Sequence, residues 1–117
     1  MNDSTTLTIN DKVLLDGGTR CDLVDLKDVH YFETCGNYCK TYYKGGMILI
    51  NRTLNYLDAK LPKRYFFRAN RQYIINLTQI SSVQIREQSV YRVVLSCGKE
   101  INISRRRSHR FRELLSL

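Results

Sequence analysis

Apolar residues in this chain come in short runs, and nearly every run is cut by a turn signal. "LTIN" (7–10) and "KVLL" (12–15) precede "DGGT" (16–19), and "VHYFET" (29–34) stops at Gly36-Asn37. "YCKTYY" (38–43) stops at "KGG" (44–46), and "MILI" (47–50) follows. Gly and Asn tolerate positive φ, so they punctuate a chain into hairpins. The runs between them alternate or are rich in β-branched and aromatic residues, which suits half-buried strands. "QISSVQIR" (79–86), "YRVVLS" (91–96) and "EINIS" (100–104) repeat the pattern, the last two joined by a hairpin-like Cys97-Gly98-Lys99. A βαβ array needs longer helices between its strands, so this punctuation favours small antiparallel sheets instead.

The period changes in two places. In "RTLNYLDAKL" (52–61), Leu54, Leu57 and Leu61 fall on one helical stripe, closed by Pro62, the single proline. That helix is short enough to serve only as a cover for a sheet. A second helix is expected from Arg105 to Leu115 with Ser104 as its N-cap. Phe111, Leu114 and Leu115 are its expected buried side. The 117 residues fit one domain, and 43% apolar residues can supply a core. We expect a polar lead over residues 1–6 and one domain over residues 7–117.

No apolar run approaches the roughly 20 residues that span a bilayer. The polar start "MNDSTTLTIN" lacks a charged-then-apolar signal pattern. A cytoplasmic location is therefore expected, with no role for a membrane. The four cysteines (Cys21, Cys35, Cys39, Cys97) are expected as free thiols in small apolar niches. No CxxC occurs, and neither His30 nor His109 has a second ligand at zinc-like spacing, so no metal is expected.

Charge is distributed unevenly. Residues 1–34 hold three Lys/Arg against seven Asp/Glu, a net −4, whereas residues 35–117 hold sixteen against four, a net +12. Such polarity suits an anionic partner, nucleic acid first and an anionic membrane surface second. An even spread over a solvated surface gives the same count.

Three patches carry candidate chemistry. In "SRRRSHRFR" (104–112), Arg105, Arg106 and Arg107 occupy the first turn of the expected helix. That opposes the helix dipole by about 0.3–1 kcal/mol per exposed charge. It is tolerable if the helix end and the guanidiniums face phosphates together, or if the run is merely solvated. In "FFRANRQYIIN" (66–76), Arg68, Asn70, Arg71 and Gln72 interrupt an apolar stretch. Arg and amide side chains position phosphates and read base edges. The plain alternative puts Arg68 on the wet face of a strand and Asn70 in a simple turn. In "TCGNYCK" (34–40), a Gly-Asn turn carries Tyr38 and Lys40, which a ligand or only solvent could meet. Catalysis is not expected. None of these groups is a general base or nucleophile near neutral pH, and no phosphate loop, nucleophile elbow or paired-carboxylate motif appears. No cofactor is expected either.

Taken together, "VHYFETCGNYCKTYY", "TLNYLDAKL", "YFFRANRQYIINLTQI" and "GKEINISRRR" resemble the LytTR DNA-binding domain, in order and at that family's spacing, over roughly residues 7–115. The resemblance implies an elongated stack of small, mostly antiparallel β-sheets with short helices. It implies a transcriptional-regulator output domain, of the two-component response-regulator kind, that inserts loops into the DNA major groove. The implied partners are promoter DNA with repeated half-sites, a second copy on that DNA, and an upstream receiver domain or sensor kinase. Carried over residue by residue, the implied contacts are Asn37, Tyr38, Cys39 and Lys40 in a first loop. Arg68, Asn70, Arg71 and Gln72 form the second, and Arg105 with Arg106 and Arg107 the third. Asn70 stands where many members have His, and Gln72 where Ser is usual, so the preferred sequence is expected to differ. No receiver domain precedes residue 7, so the chain is expected to be an excised output domain or to stand alone. An RNA or single-strand binder that stacks bases on tyrosines is the alternative, and a charge-driven membrane-surface module a third reading.

Overall fold

A computed structural model describes residues 7–117. The polar lead over residues 1–6 lies outside them. Ten strands and two α-helices follow one another as β1 (Lys12–Asp16), β2 (Cys21–Asp25), β3 (Val29–Cys35), β4 (Tyr38–Tyr43), β5 (Gly46–Ile50), α1 (Leu54–Lys60), β6 (Phe66–Arg68), β7 (Tyr73–Asn76), β8 (Ile80–Ile85), β9 (Tyr91–Leu95), β10 (Glu100–Asn102) and α2 (Arg105–Leu115). They form a two-stranded sheet β1-β2, a five-stranded sheet β5-β4-β3-β7-β6 and a three-stranded sheet β10-β9-β8. Every pairing is antiparallel. The domain is elongated, 44 × 30 × 24 Å. Fold class and most strand positions agree with the expectation.

The central sheet explains the run lengths. Side chains alternate across a strand, and here both faces are covered. Phe32, Cys39, Phe66 and Ile74 join Leu15, Leu26, Leu54, Leu57 and Leu61 in one core, under the β1–β2 hairpin and α1. Tyr31, Phe67 and Ile75 join Val93, Leu95, Ile101, Ile103 and Phe111 in a second core, under the three-stranded sheet and α2. Adjacent residues such as Phe66 and Phe67, or Ile74 and Ile75, therefore serve opposite cores. Each such side chain contributes about 1.5–3 kcal/mol by burial.

Some expectations fail for identifiable reasons. "LTIN" is not a strand. Asp11 N–H donates to the Thr8 carbonyl (3.1 Å) and Thr8 N–H to Asp11 Oδ2 (2.7 Å), so a turn uses the groups a ladder needs. The strand β2 was hidden by Asp22 and Asp25, a residue type depleted in strands. The turn before it closes through Gly17 N–H to the Arg20 carbonyl, with Gly18 at φ +92°. In α2, Ser104 caps as expected and accepts from Arg107 N–H (3.3 Å). Its buried positions are Ser108 and Phe111, however, while Leu114 and Leu115 are 36% and 49% exposed. Among the described residues no element covers the last turn. All four cysteines are free, but only Cys39 sits in an apolar niche; Cys21, Cys35 and Cys97 are exposed.

Candidate nucleic-acid interface

Strand register brings the expected loops to one end of the molecule. β3 runs antiparallel to β7 with Glu33 opposite Tyr73, so the β3–β4 turn and the β6–β7 loop lie side by side. Thr34 N–H donates to the Gln72 carbonyl (2.9 Å) and ties the two together. The third segment is hung on the second. Ser104 N–H donates to the Ala69 carbonyl (2.9 Å), and Asn70 Nδ2 donates to the Asn102 carbonyl (2.6 Å). The start of α2 is thereby fixed against the β6–β7 loop.

That loop is braced by its own polar residues. Asn70 Oδ1 accepts from Gln72 N–H (2.7 Å) and Tyr73 N–H (3.1 Å) and so closes an Asx turn. Arg68 donates through Nε to the Asn70 carbonyl (2.8 Å), through Nη2 to the Arg71 carbonyl (3.1 Å) and through Nη1 to Asn55 Oδ1 (3.0 Å). Burial pulls the Arg68 guanidinium below its usual pKa, and the nearby positive Arg107 adds to the shift. Phe66, Phe67, Ile74 and Ile75 are all buried and pin both strands that flank the loop. At its end, Asn76 is wholly buried and donates to the carbonyls of Lys27 and Val29.

Arg71 and Gln72 remain exposed at the tip. They line an open groove of about 860 Å³ with Thr34, Asn70, Ser104, Arg106 and Arg107. Arg105 turns the other way, into a recess beside the β8–β9 turn. Asn37 and Tyr38 are exposed at the β3–β4 tip. Lys40 is half-buried, opposite Glu33 across the ladder.

Three of the expected contact residues are engaged within the fold. Cys39 is wholly buried in the first core, and burial pushes its thiol up to about 11. The Asn70 amide is tied to backbone through both its oxygen and its nitrogen, and Arg68 donates to three internal acceptors. Arg68 and Asn70 brace the β6–β7 loop, and Cys39 packs in the core behind the β3–β4 turn. Sequence reasoning missed Thr34, which lies in the groove, and it missed a polar brace behind it. Half-buried Glu33 accepts from the hydroxyls of Tyr73 (3.1 Å) and Tyr42 (3.4 Å), while Lys99 Nζ lies 5.2 Å from the Tyr73 ring centre. Only the three tyrosines of β4 hinted at it.

The electrostatics of this end are one-sided. Among the described residues, Arg71, Arg105, Arg106 and Arg107 take part in no ion pair, whereas Lys12, Arg20, Lys63 and Arg92 each have a carboxylate partner. The first turn of α2 holds no acidic residue. Its dipole and its guanidiniums repel each other until an anion arrives. Among the described residues no three His, Cys, Asp or Glu cluster as metal ligands, and no helix is long and apolar enough to cross a membrane.

A family model described as the LytTr DNA-binding domain matches residues 19–116. The chain belongs to the LytTR family. It is similar to the sensory transduction protein LytT of Bacillus subtilis, with 26% identity over 91% of this chain and 44% of that protein. It is also similar to the transcriptional regulatory protein YpdB of Escherichia coli, with 24% identity over 97% of this chain and 47% of that protein. The chain thus spans a little under half the length of these LytTR relatives. Its fold matches the LytTr DNA-binding domain of a Bacillus cereus response regulator with a TM-score of 0.82, at 22% identity, over 91% of this chain and 97% of that one. That family is one of DNA-binding domains, not of enzymes.

Proposed function

We propose that this LytTR domain binds double-stranded DNA sequence-specifically, seating the β3–β4 turn, the β6–β7 loop and the start of α2 against the major groove and its flanking phosphates. The observation that carries the reading is the hydrogen-bonded union of the three segments, through Thr34–Gln72, Ala69–Ser104 and Asn70–Asn102, around arginines without acidic partners. A preassembled tip loses little entropy on docking. Arg71 and Gln72 are the base-reading pair, since Arg forks onto guanine and Gln onto adenine. Arg106 and Arg107 position phosphates, Asn37, Tyr38 and Lys40 meet the neighbouring turn of the duplex, and Arg105 contacts the backbone. The biological target is promoter DNA in the cytoplasm, with repeated half-sites occupied by two copies. The activity is controlled through a receiver domain and its sensor kinase.

Selection of duplexes from a random pool by the purified chain tests both class and specificity. The expected outcome is an enriched repeated motif, bound with an affinity that falls as salt rises by about 0.9 log units per phosphate contacted. Equal binding of enriched and scrambled duplexes, or efficient competition by single strands, would falsify the reading.

A further inference from the structure

We propose a fourth DNA contact, made by the β8–β9 turn, in which Arg86 and Arg105 grip the sugar–phosphate backbone flanking the three-loop groove. The inference extends the duplex-binding reading above and rests on it.

Three observations converge on this turn. The first is its backbone. Gln88 and Ser89 stand in succession at φ 59° and 61°, a left-handed pair in a chain that reserves positive φ elsewhere for glycine among the described residues. Two left-handed residues make the tight type of hairpin turn that suits the twist of its strands, at a steric cost Gly would avoid. The turn is closed by Arg86 N–H to the Val90 carbonyl (2.6 Å) and Val90 N–H to the Glu87 carbonyl (3.3 Å). The closed tip fixes the Arg86 backbone, and strain of this sort often marks a working segment.

The second observation is position. β8 and β9 pair from Ile80 opposite Leu95 to Ile85 opposite Tyr91, so their turn lies where β9 begins. β10 ends there too, with Asn102 opposite Arg92, just before α2 starts. Asn102 is the residue whose carbonyl accepts from Asn70. The turn is therefore at the same end of the molecule as the groove, one element further out.

The third is charge. Arg86 and Arg105 line one recess, and among the described residues neither forms an ion pair. Glu87 shares the recess, which leaves it net positive. Arg105 and Arg106 are neighbours on a helix and project about 100° apart. Arg106 faces the groove and Arg105 the recess, so the first turn of α2 separates two cationic surfaces. A duplex lying in the groove carries its backbone across that turn towards Arg86. The recess offers charge without an amide partner, which fits phosphate and carries no base readout.

The test is fluorescence-anisotropy titration of Arg86→Ala and Arg86→Lys against the selected duplex and a scrambled one, at several salt concentrations. Arg86 is exposed, and thermal melts check that both variants keep the fold. Arg86→Ala should weaken binding to both duplexes by a similar factor, roughly fivefold at low salt, and flatten the log–log salt slope by about 0.9. Arg86→Lys should keep the slope. Trimming the selected duplex on the flank beyond the third loop should remove the difference between the unaltered chain and Arg86→Ala. Unaltered affinity and slope in Arg86→Ala would sink this inference alone, and so would a loss confined to one base pair. Failure of the unaltered chain to prefer duplex sinks the duplex-binding reading and this contact with it.

Discussion

The β1–β2 hairpin and the loop end handle charge in opposite ways. In the hairpin, each of two cations has its own carboxylate. Lys12 Nζ lies 2.7 Å from Asp25 Oδ1, and Arg20 Nη2 lies 3.1 Å from Asp22 Oδ2 while also donating to the Met47 carbonyl. Tyr43 adds a hydrogen bond to Asp22. At the loop end, Arg71, Arg106 and Arg107 share one groove lined by no carboxylate. The first arrangement spends its charge inside the molecule, where an exposed pair contributes little. The second keeps its charge available and accepts self-repulsion until an external anion relieves it. Net charge alone does not separate the two arrangements; the pairing does.

The comparison can be broken by substitution. The largest effect is expected from Arg71→Ala, which should cost about 1–3 kcal/mol of duplex affinity and relax the preference at one base pair. Titration against single-substitution duplexes checks this, and a uniform loss over all sequences would demote Arg71 to a phosphate contact. Arg20→Ala, measured alongside, should leave DNA affinity unchanged. Next, Asn70→Ala removes a side chain that satisfies two backbone N–H groups and one carbonyl. Chemical denaturation should show a loss of about 1–2 kcal/mol of stability, whereas Arg71→Ala should melt like the unaltered chain. An undisturbed melt in Asn70→Ala would return Asn70 to the reading surface.

The smallest expected effect is a pH dependence confined to the hairpin. Hydrogen bonds from Arg20 and then Tyr43 hold the Asp22 carboxyl below its usual pKa. A depressed folded-state pKa adds stability above the ordinary carboxylate range, and that contribution is lost as pH falls through the depressed value. Asp22→Asn should therefore lower the Tm slightly at neutral pH, and the difference should vanish in strong acid. A Tm gap that persists unchanged at low pH would show that packing, not charge, is at work there.

Much of this molecule was legible in its sequence. Strand and turn punctuation located most of the ladder, and the Leu54, Leu57 and Leu61 stripe located α1. Ser104 marked the start of α2. The site was legible as a set of segments, because register and turn chemistry are local signals. It was less legible as a set of side chains. Arg68, Asn70 and Arg71 look alike in sequence as polar intruders, yet two of them turn inward to close the loop. Only the geometry of neighbouring carbonyls, supplied by residues as distant as Asn102, decides which. Cys39 fails for a related reason. The period-2 alternation put Tyr38 and Cys39 on opposite faces, and the layer that buries Cys39 comes from distant elements. Departure from the family at Asn70 bears on the shape of the turn, whereas departure at Gln72 bears on what the tip presents.

The division of labour in the β6–β7 loop has an evolutionary corollary. Arg68 and Asn70 hold the loop's shape, while among the described residues the side chains of Arg71, Gln72, Arg106 and Arg107 make no internal hydrogen bond. Under the proposed reading, mutations at Arg71 and Gln72 change the bases read and those at Arg106 and Arg107 change overall affinity, all with little risk to the fold. On that reading, a duplicated copy of this domain can diverge in target by drift at its tip, leaving the two cores behind it unchanged.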